Sequence, residues 1–410
     1  MTGSECNVTE QGRIFLAADA GQPMSAVTQR AAAGAAELGW AEPGLRAHEG
    51  RRSQQLLETA AAAVAASVGA SAAAVVFMPA PMLALSAAVT ACGRGPAACG
   101  AADRLPVVRA VSERARRLQL TPTTLAVDAA GRVPVASVAG AMAAGVQVIV
   151  CQVGNPEVGS VSDHSAISRC VKDHSGFVVM DATMAAGRTM LPDPAGWDVL
   201  VLSAASWAGG AGVGIVVVKP TTPWDAGAAW GSDNRTRAQM PLRAPGVSAC
   251  ATAALSLEAA VATVELREQR DRRRTAAIRA ALSTLPEVVV HGADPRLPHV
   301  VGFSVNGVLA ETLLLELDRR GISVAAGSAC TSDPDAPSAV LTAMGAPTSG
   351  NLRITLPMAD EVLCGAGAGA WAEAGAGVGA DGDPAAGDAA IRRVCEELPA
   401  AIAAIRAELV

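Results

Sequence analysis

The sequence contains no tyrosine, only 2% aromatic residues in total, and just two lysines among its 410 residues, Lys172 and Lys219. Basic charge is therefore carried almost entirely by arginine, and any chemistry that needs a primary amine is confined to two positions. The nine cysteines run from Cys6 to Cys395 without a single C-x-x-C pair. An odd, widely spaced set in a long chain fits reduced thiols better than a disulfide framework. Zinc-type ligand spacing is absent, and the five histidines form no metal or triad pattern, so no metal is expected. The polar start MTGSECNVTEQGR has no apolar core of a secretory signal. No apolar run reaches the roughly 18 residues of a membrane span. A net charge of −6 gives no reason to expect nucleic acid or an anionic membrane as partner. The expectation is a soluble, cytoplasmic protein.

What is present is apolar bulk: 51% hydrophobic and 17% charged residues, enough to bury a large core in two or three subdomains. Ser53–Gly69 reads as a helix, Ala74–Met78 as a strand, and an Ala-rich helix follows to about Ala91. Short apolar runs at Gly145–Val153, Gly176–Met180, Trp197–Leu202 and Gly214–Lys219 are bounded by Gly, Pro or Asp. Such runs, separated by helical connections, predict a buried, mostly parallel sheet with helices on both faces. From about Gly246 a long helix leads into a smaller α+β region. That region has strands at His299–Val305, Ile322–Ala325 and Leu352–Leu356 and helices at Leu309–Arg320 and Ala389–Leu409. The Gly/Ala stretch 364–387 is low in complexity and reads as a flexible surface insertion.

Several motifs in consistent order resemble the cysteine desulfurase branch of the class V aminotransferases. The run Gly327-Ser328-Ala329-Cys330-Thr331-Ser332 resembles that family's nucleophile loop, and Pro337–Gly345 resembles the helix after it. Leu352-Arg353-Ile354-Thr355-Leu356 is similar to the strand whose arginine binds the substrate carboxylate. Asn155-Pro156-Glu157-Val158-Gly159 resembles the N-x-E-[IV]-G turn, and Asp181–Gly187 resembles the D-A-x-Q-A-A-G segment. Pro43 to Gly50, with His48, is similar to the family's N-P-S-S-x-H-x-x-G stretch. The resemblance implies a fold-type-I α/β architecture with a large domain over 15–245. A smaller α+β domain is expected from 1–14 and 246–410. It also implies pyridoxal phosphate as cofactor, a homodimer, and sulfur transfer from L-cysteine to a persulfide on Cys330.

In such enzymes a lysine at the end of S-x-H-K forms a Schiff base with the cofactor, and an aspartate holds the pyridine nitrogen. Here the matching segment is Ser203-Ala204-Ala205-Ser206, so Ser206 stands at the lysine position and serine cannot form an aldimine. Asp181 is expected beside the cofactor ring, with Ser203 and Asn155 as further cofactor-side residues and Arg353 as the substrate-binding group. The phosphate turn has become Met78-Pro79-Ala80-Pro81-Met82-Leu83, in which both prolines lack N–H donors. The ring-stacking histidine aligns with Val108, the next glutamine is Met184, and Pro241–Val247 offers no counterpart of the partner subunit's R-S-G-T segment. Hydrogen bonds to a charged phosphate contribute about 1.5–3 kcal/mol each, so several such losses weigh against non-covalent cofactor binding too.

These residues also have plainer readings. Asp181 suits a strand-end or cap role, Arg353 a salt bridge, Asn155 and Glu157 a turn, and Cys330 an inert packed thiol. The sequence favours a degenerate desulfurase-like protein, acting as structural or regulatory partner of a competent desulfurase or a sulfur-acceptor protein. The alternative is an active desulfurase, or related pyridoxal-phosphate lyase or transferase, with a non-standard site.

Overall fold

The computed structural model describes residues 12–70, 75–225, 245–327, 337–364 and 384–408. The Cys330 loop, and most of the Gly/Ala stretch, lie outside them. The first strand and helices are β1 (Ile14–Phe15), α1 (Ala26–Leu38) and α2 (His48–Ser67), followed by β2 (Val75–Met78) and α3 (Pro81–Ala91). Then come β3 (Ala97–Gly100), α4 (Leu105–Arg117), β4 (Thr123–Leu125), α5 (Val135–Ala143), β5 (Val148–Gln152) and α6 (His164–Asp173). Strands β6 (Phe177–Asp181), β7 (Val199–Ser203) and β8 (Gly214–Val218) complete the main sheet.

That sheet has seven strands in the order β2-β8-β7-β6-β5-β3-β4. All but β8 run parallel, and β8 pairs antiparallel with both β2 and β7. The Val-rich strands β7 and β8 are buried along their whole length, as expected where helices cover both faces. The crossovers place Gly100, Gln152, Asp181 and Ser203 together at the carboxyl edge, where open α/β sheets keep their ligand sites.

The long helix expected from Gly246 is two helices, α7 (Val247–Ala262) and α8 (Val264–Ser283), bent by 69° at Thr263. Arg267 stabilises the break: Nη1 reaches the Ala260 and Gly187 carbonyls, and Nη2 the Thr263 hydroxyl. Helix α7 packs on α1 and α2 and joins the core of the large sheet. Helix α8 turns its Ile278 and Leu282 into a second core.

That second core lies on β9 (Val288–Val290), β10 (Val300–Val305), α9 (Ala310–Arg319), β11 (Ile322–Ser323) and β12 (Ala325–Ala326). The chain continues through α10 (Ala339–Met344), β13 (Asn351–Thr355), α11 (Asp360–Leu363) and α12 (Pro384–Glu408). The antiparallel sheet runs β12-β13-β10-β9, while β1 pairs with β11, bringing Ile14 and Leu16 from the N-terminal end into this core. No single described helix is long and apolar enough to cross a membrane.

Candidate functional site at the carboxyl edge of the sheet

Asp181 ends β6 and is 3% exposed. Its Oδ2 accepts from Arg104 Nε at 2.7 Å; its Oδ1 accepts from the Thr183 amide at 3.0 Å and from the Thr183 hydroxyl at 2.6 Å. Arg104 Nη2 closes the ring on Thr183 Oγ1 at 2.6 Å. The carboxylate is thus neutralised by a guanidinium supplied from the chain itself. Arg104 precedes α4, on the loop from the neighbouring strand β3. Val108, which the sequence alignment set against the ring-stacking histidine, packs on the first core one turn further along. The side chain that meets Asp181 is Arg104.

Asp103, beside this pair, is buried, and its Oδ2 accepts from the Gly100 amide at 2.8 Å. Burial, with the Asp181 charge added to it, pushes its carboxyl up to about 7, while the Gly100 hydrogen bond and Arg104 oppose the shift.

Arg353 lies on β13. Its Nη2 forms a buried ion pair with Asp19, from the segment just after β1. That segment is strapped down on both sides of the pair. The Thr355 amide donates to the Leu16 carbonyl at 2.7 Å, and Ala18 N–H to the Thr355 carbonyl at 3.2 Å. Gln22 donates to the Ala205 and Ser206 carbonyls at 3.3 and 3.2 Å and accepts from the Met358 amide at 2.9 Å.

Ser206 sits in a turn of 3-10 helix, Ala204–Trp207, directly after β7. Its hydroxyl donates to the Ala186 carbonyl at 3.0 Å. Trp207 anchors the turn through Nε1 to the Ala253 carbonyl and the Ser256 hydroxyl, both at 3.1 Å. Gly187 lets the Asp181 loop approach: at φ +71° its place leaves only 2.6 Å between an added Cβ and Trp207 Cβ. Ser203 is buried at the end of β7, opposite Gly214.

Neither lysine approaches this edge. Lys219 follows β8, whose Val218 pairs with Val199 at the start of β7, whereas Gly214 pairs with Ser203 at its end. Four residues of strand separate those levels, about 13 Å. Lys219 Nζ lies 5.1 Å from the Trp197 ring centre, and Lys172 Nζ donates to the Ala195 carbonyl.

Asn155 is fully engaged in its own turn. Its Oδ1 accepts from the Glu157 and Val158 amides at 2.8 and 3.1 Å, and its Nδ2 donates to the Ala102 carbonyl at 2.7 Å. Glu157 joins that turn to the second sheet, accepting from Asn351 Nδ2 at 2.8 Å and from the Ser338 hydroxyl at 2.5 Å. At the turn aligned with the phosphate segment, Ala80 caps α3 without a side-chain bond and Pro81 occupies the first turn. Among the described residues no acidic, His or Cys cluster suits a metal. Burial pushes the thiols of Cys92 and Cys250 up to about 12, so neither is a ready nucleophile. Cys330 lies outside the described residues.

Asp181 and Ser203 thus end neighbouring strands with Ser206 just beyond, and the segment that carries Asp19 and Gln22 ties the Ser206 turn to Arg353; Arg104, Thr183, Asp19 and Gln22 join the candidate residues. Sequence reasoning passed over these four. The one available signal was the Asp103-Arg104 pair before a helical stretch, a charged dipeptide at a strand's carboxyl end. Nothing local marks Asp19, whose partner lies 334 positions away.

The fold is shared with a NifS-like protein (TM-score 0.74, 17% identity, 94% of this chain and 99% of that one). It is also shared with the apo cysteine desulfurase of Thermococcus onnurineus (TM-score 0.68, 17% identity, 87% and 94%). In sequence the chain is 30% identical over 242 residues to the cysteine desulfurase IscS of Clostridium botulinum, 57% of this chain and 60% of that one. A cysteine desulfurase of Sinorhizobium fredii is 30% identical over 229 residues, 54% and 57%. The chain spans about 60% of the length of these curated relatives. Residues 44–361 match the aminotransferase class-V family, and the chain belongs to that family.

Proposed function

We propose that this chain is a desulfurase-like protein that has left pyridoxal-phosphate chemistry and serves as a structural or regulatory partner in sulfur transfer. The observation that carries this reading is the closed Arg104–Asp181–Thr183 network. When bound, the cofactor would supply an electron sink that depends on a carboxylate free to hold its ring nitrogen. Here that carboxylate is already neutralised, and exposing it means breaking a buried ion pair, which costs about 3–5 kcal/mol. The residues present do not fit the cofactor.

Three further observations support the same reading. Ser206, at the position expected for the Schiff-base lysine, spends its hydroxyl on the Ala186 carbonyl. Both lysines sit towards the opposite end of the strands. Arg353, the expected substrate-carboxylate group, already holds Asp19. The exposed Leu38 at the end of α1, with Trp40 and Leu45 between α1 and α2, suits an apolar contact with a second copy or with a competent desulfurase. Within such an assembly Cys330 would act as sulfur acceptor. Its thiolate would attack the outer sulfur of a partner persulfide, and the partner cysteine would leave as thiolate.

Incubation with pyridoxal phosphate, borohydride reduction and peptide mapping test the proposal. The expected result is no aldimine absorbance and no pyridoxyl-lysine peptide. A reducible adduct on Lys172 or Lys219 overturns it and returns the alternative, an active enzyme with a non-standard site. Incubation with a competent desulfurase and cysteine should add one sulfur to the Cys330 peptide, and an unmodified peptide sinks the acceptor role.

A further inference from the structure

A separate cleft of about 550 Å³ opens between the two sheets, away from Asp181, Ser206 and Arg353. The large-sheet side contributes Arg132, the start of α6 and the Thr189–Pro192 loop; the other side contributes α8 and the Pro295–Leu297 segment. Backbone hydrogen bonds fix the two walls: Val161 N–H to the Pro295 carbonyl at 2.9 Å and Leu297 N–H to the Gly159 carbonyl at 2.7 Å.

Three arginines line this cleft. Arg272 is paired with Glu268 one helical turn away. Arg132 and Arg296 have no ion pair among the described residues. Arg132 Nη2 donates to the Asp294 backbone carbonyl and Arg296 Nη2 to the Val158 carbonyl at 3.1 Å, while the Nε of each finds no acceptor. Arg296 is only 7% exposed, so a guanidinium charge is held in a low-dielectric wall with, among the described residues, carbonyl dipoles as its direct partners. The acidic groups nearby are otherwise occupied or set back. Glu268 also accepts from the Met190 amide at 3.2 Å, and Asp163 caps α6 through the Ala166 amide at 2.9 Å. Asp294 attracts Arg296 and Arg279 but does not line the cleft. His164, at the start of α6, is kept neutral-leaning by burial, with Nε2 at 3.1 Å from the Gln152 carbonyl. The remaining lining is largely apolar: Val153, Val161, Leu191, Pro192 and Leu297.

Two guanidinium groups without carboxylate partners beside an apolar wall match one chemical shape. We propose that this cleft binds a small organic oxyanion, its carboxylate or phosphate head on Arg132 and Arg296 and its apolar body against Val153, Val161, Leu191 and Leu297. Because the walls belong to different sheets, such a ligand would clamp the two cores together. The proposal is independent of whether the carboxyl edge around Asp181 is active.

Calorimetric titration of the full chain with phenyl phosphate, benzoate and inorganic phosphate tests it. Phenyl phosphate or benzoate should bind saturably, and inorganic phosphate more weakly, because it lacks the apolar body. Arg132→Gln, a half-buried site whose loss leaves no carboxylate stranded, should weaken the organic anion about tenfold or more. Arg109→Gln, exposed on α4, should leave it unchanged. Absence of saturable binding by all three probes at about 10 mM overturns the site. Equal weakening by both variants overturns it as well, since that is general charge screening. Preference for inorganic phosphate over both organic anions overturns the ligand class. Protection of the wild-type chain, but not Arg132→Gln, from thermal unfolding by the same probes gives the second readout.

Discussion

The carboxyl edge of the sheet and the cleft beside α6 both hold buried or half-buried arginines, but they treat the charge in opposite ways. At the edge, Arg104 lies against Asp181 and Arg353 against Asp19, so each guanidinium has a carboxylate from its own chain. In the cleft, Arg132 and Arg296 hydrogen-bond only to backbone carbonyls among the described residues. A site whose charges are matched internally must break a pair before it accepts a charged ligand. A site with unmatched charge gains by accepting one. On that ground the carboxyl edge is the closed region of this protein, and the cleft is the receptive one.

The largest expected effect comes from removing one member of a matched pair. Arg104→Met strands the Asp181 carboxylate in a site 3% exposed and should cost about 3–5 kcal/mol in denaturant unfolding. The double variant Arg104→Met, Asp181→Asn should recover most of that loss. If the single variant is as stable as the parent, the edge is not closed by this pair and the comparison fails.

The next effect is a pH dependence at the same edge. The Asp103 carboxyl lies at about 7 in the folded chain against an ordinary 3.8, so the folded state binds the extra proton between those values. Stability from this group is therefore full at the acid end and is lost as pH rises from about 4 to about 7. Asp103→Asn keeps an acceptor for the Gly100 amide and removes the titration. It should raise the melting temperature at pH 8 and leave it nearly unchanged at pH 4. A variant less stable than the parent at pH 8 contradicts the assigned direction.

The cleft should respond more weakly. Arg296→Met gives up the hydrogen bond to the Val158 carbonyl but leaves no carboxylate behind, so the expected loss is about 1–2 kcal/mol, smaller than at Arg104. A loss as large as that of Arg104→Met would mean that Arg296 is matched after all, and would erase the contrast between the two regions.

The architecture was legible because it rests on periodic signals. Runs such as Trp197–Leu202 and Gly214–Lys219, short and bounded by Gly, Pro or Asp, read as buried strands and are β7 and β8, whereas the grouping of Asp181, Ser206 and Arg353 rested on the family resemblance and not on periodicity. What the sequence left obscure is contact across long separations. Asp19 and Arg353 carry no mutual signal in the chain, and the strap through Gln22 exists only once β1 has paired with β11. Asn155 makes the Asx turn that its residue type announces, whereas the Glu157 carboxylate bonds to Ser338 and Asn351, far along the chain, which nothing local announces. The break at Thr263 was hidden for the opposite reason: no Pro or Gly marks it, and the Arg267 bonds that hold it include one to the distant Gly187 carbonyl.

The smallest effect bears on the residue around which the functional question turns. Ser206→Ala removes one hydrogen bond, to the Ala186 carbonyl, and should cost about 0.5–1.5 kcal/mol without altering any ligand response at the cleft. Ser206→Lys asks more of the edge. The new ammonium would enter a turn 9% exposed at this position, beside the Gln22 strap, while Arg104 still neutralises Asp181. Restoring the amine alone should therefore yield little reducible pyridoxyl adduct, and adding Arg104→His to Ser206→Lys should yield more, because it lifts the permanent guanidinium from the carboxylate. Full labelling of the Ser206→Lys chain by itself would show that the missing amine was the only obstacle, and that the paired charges at this edge do not close it.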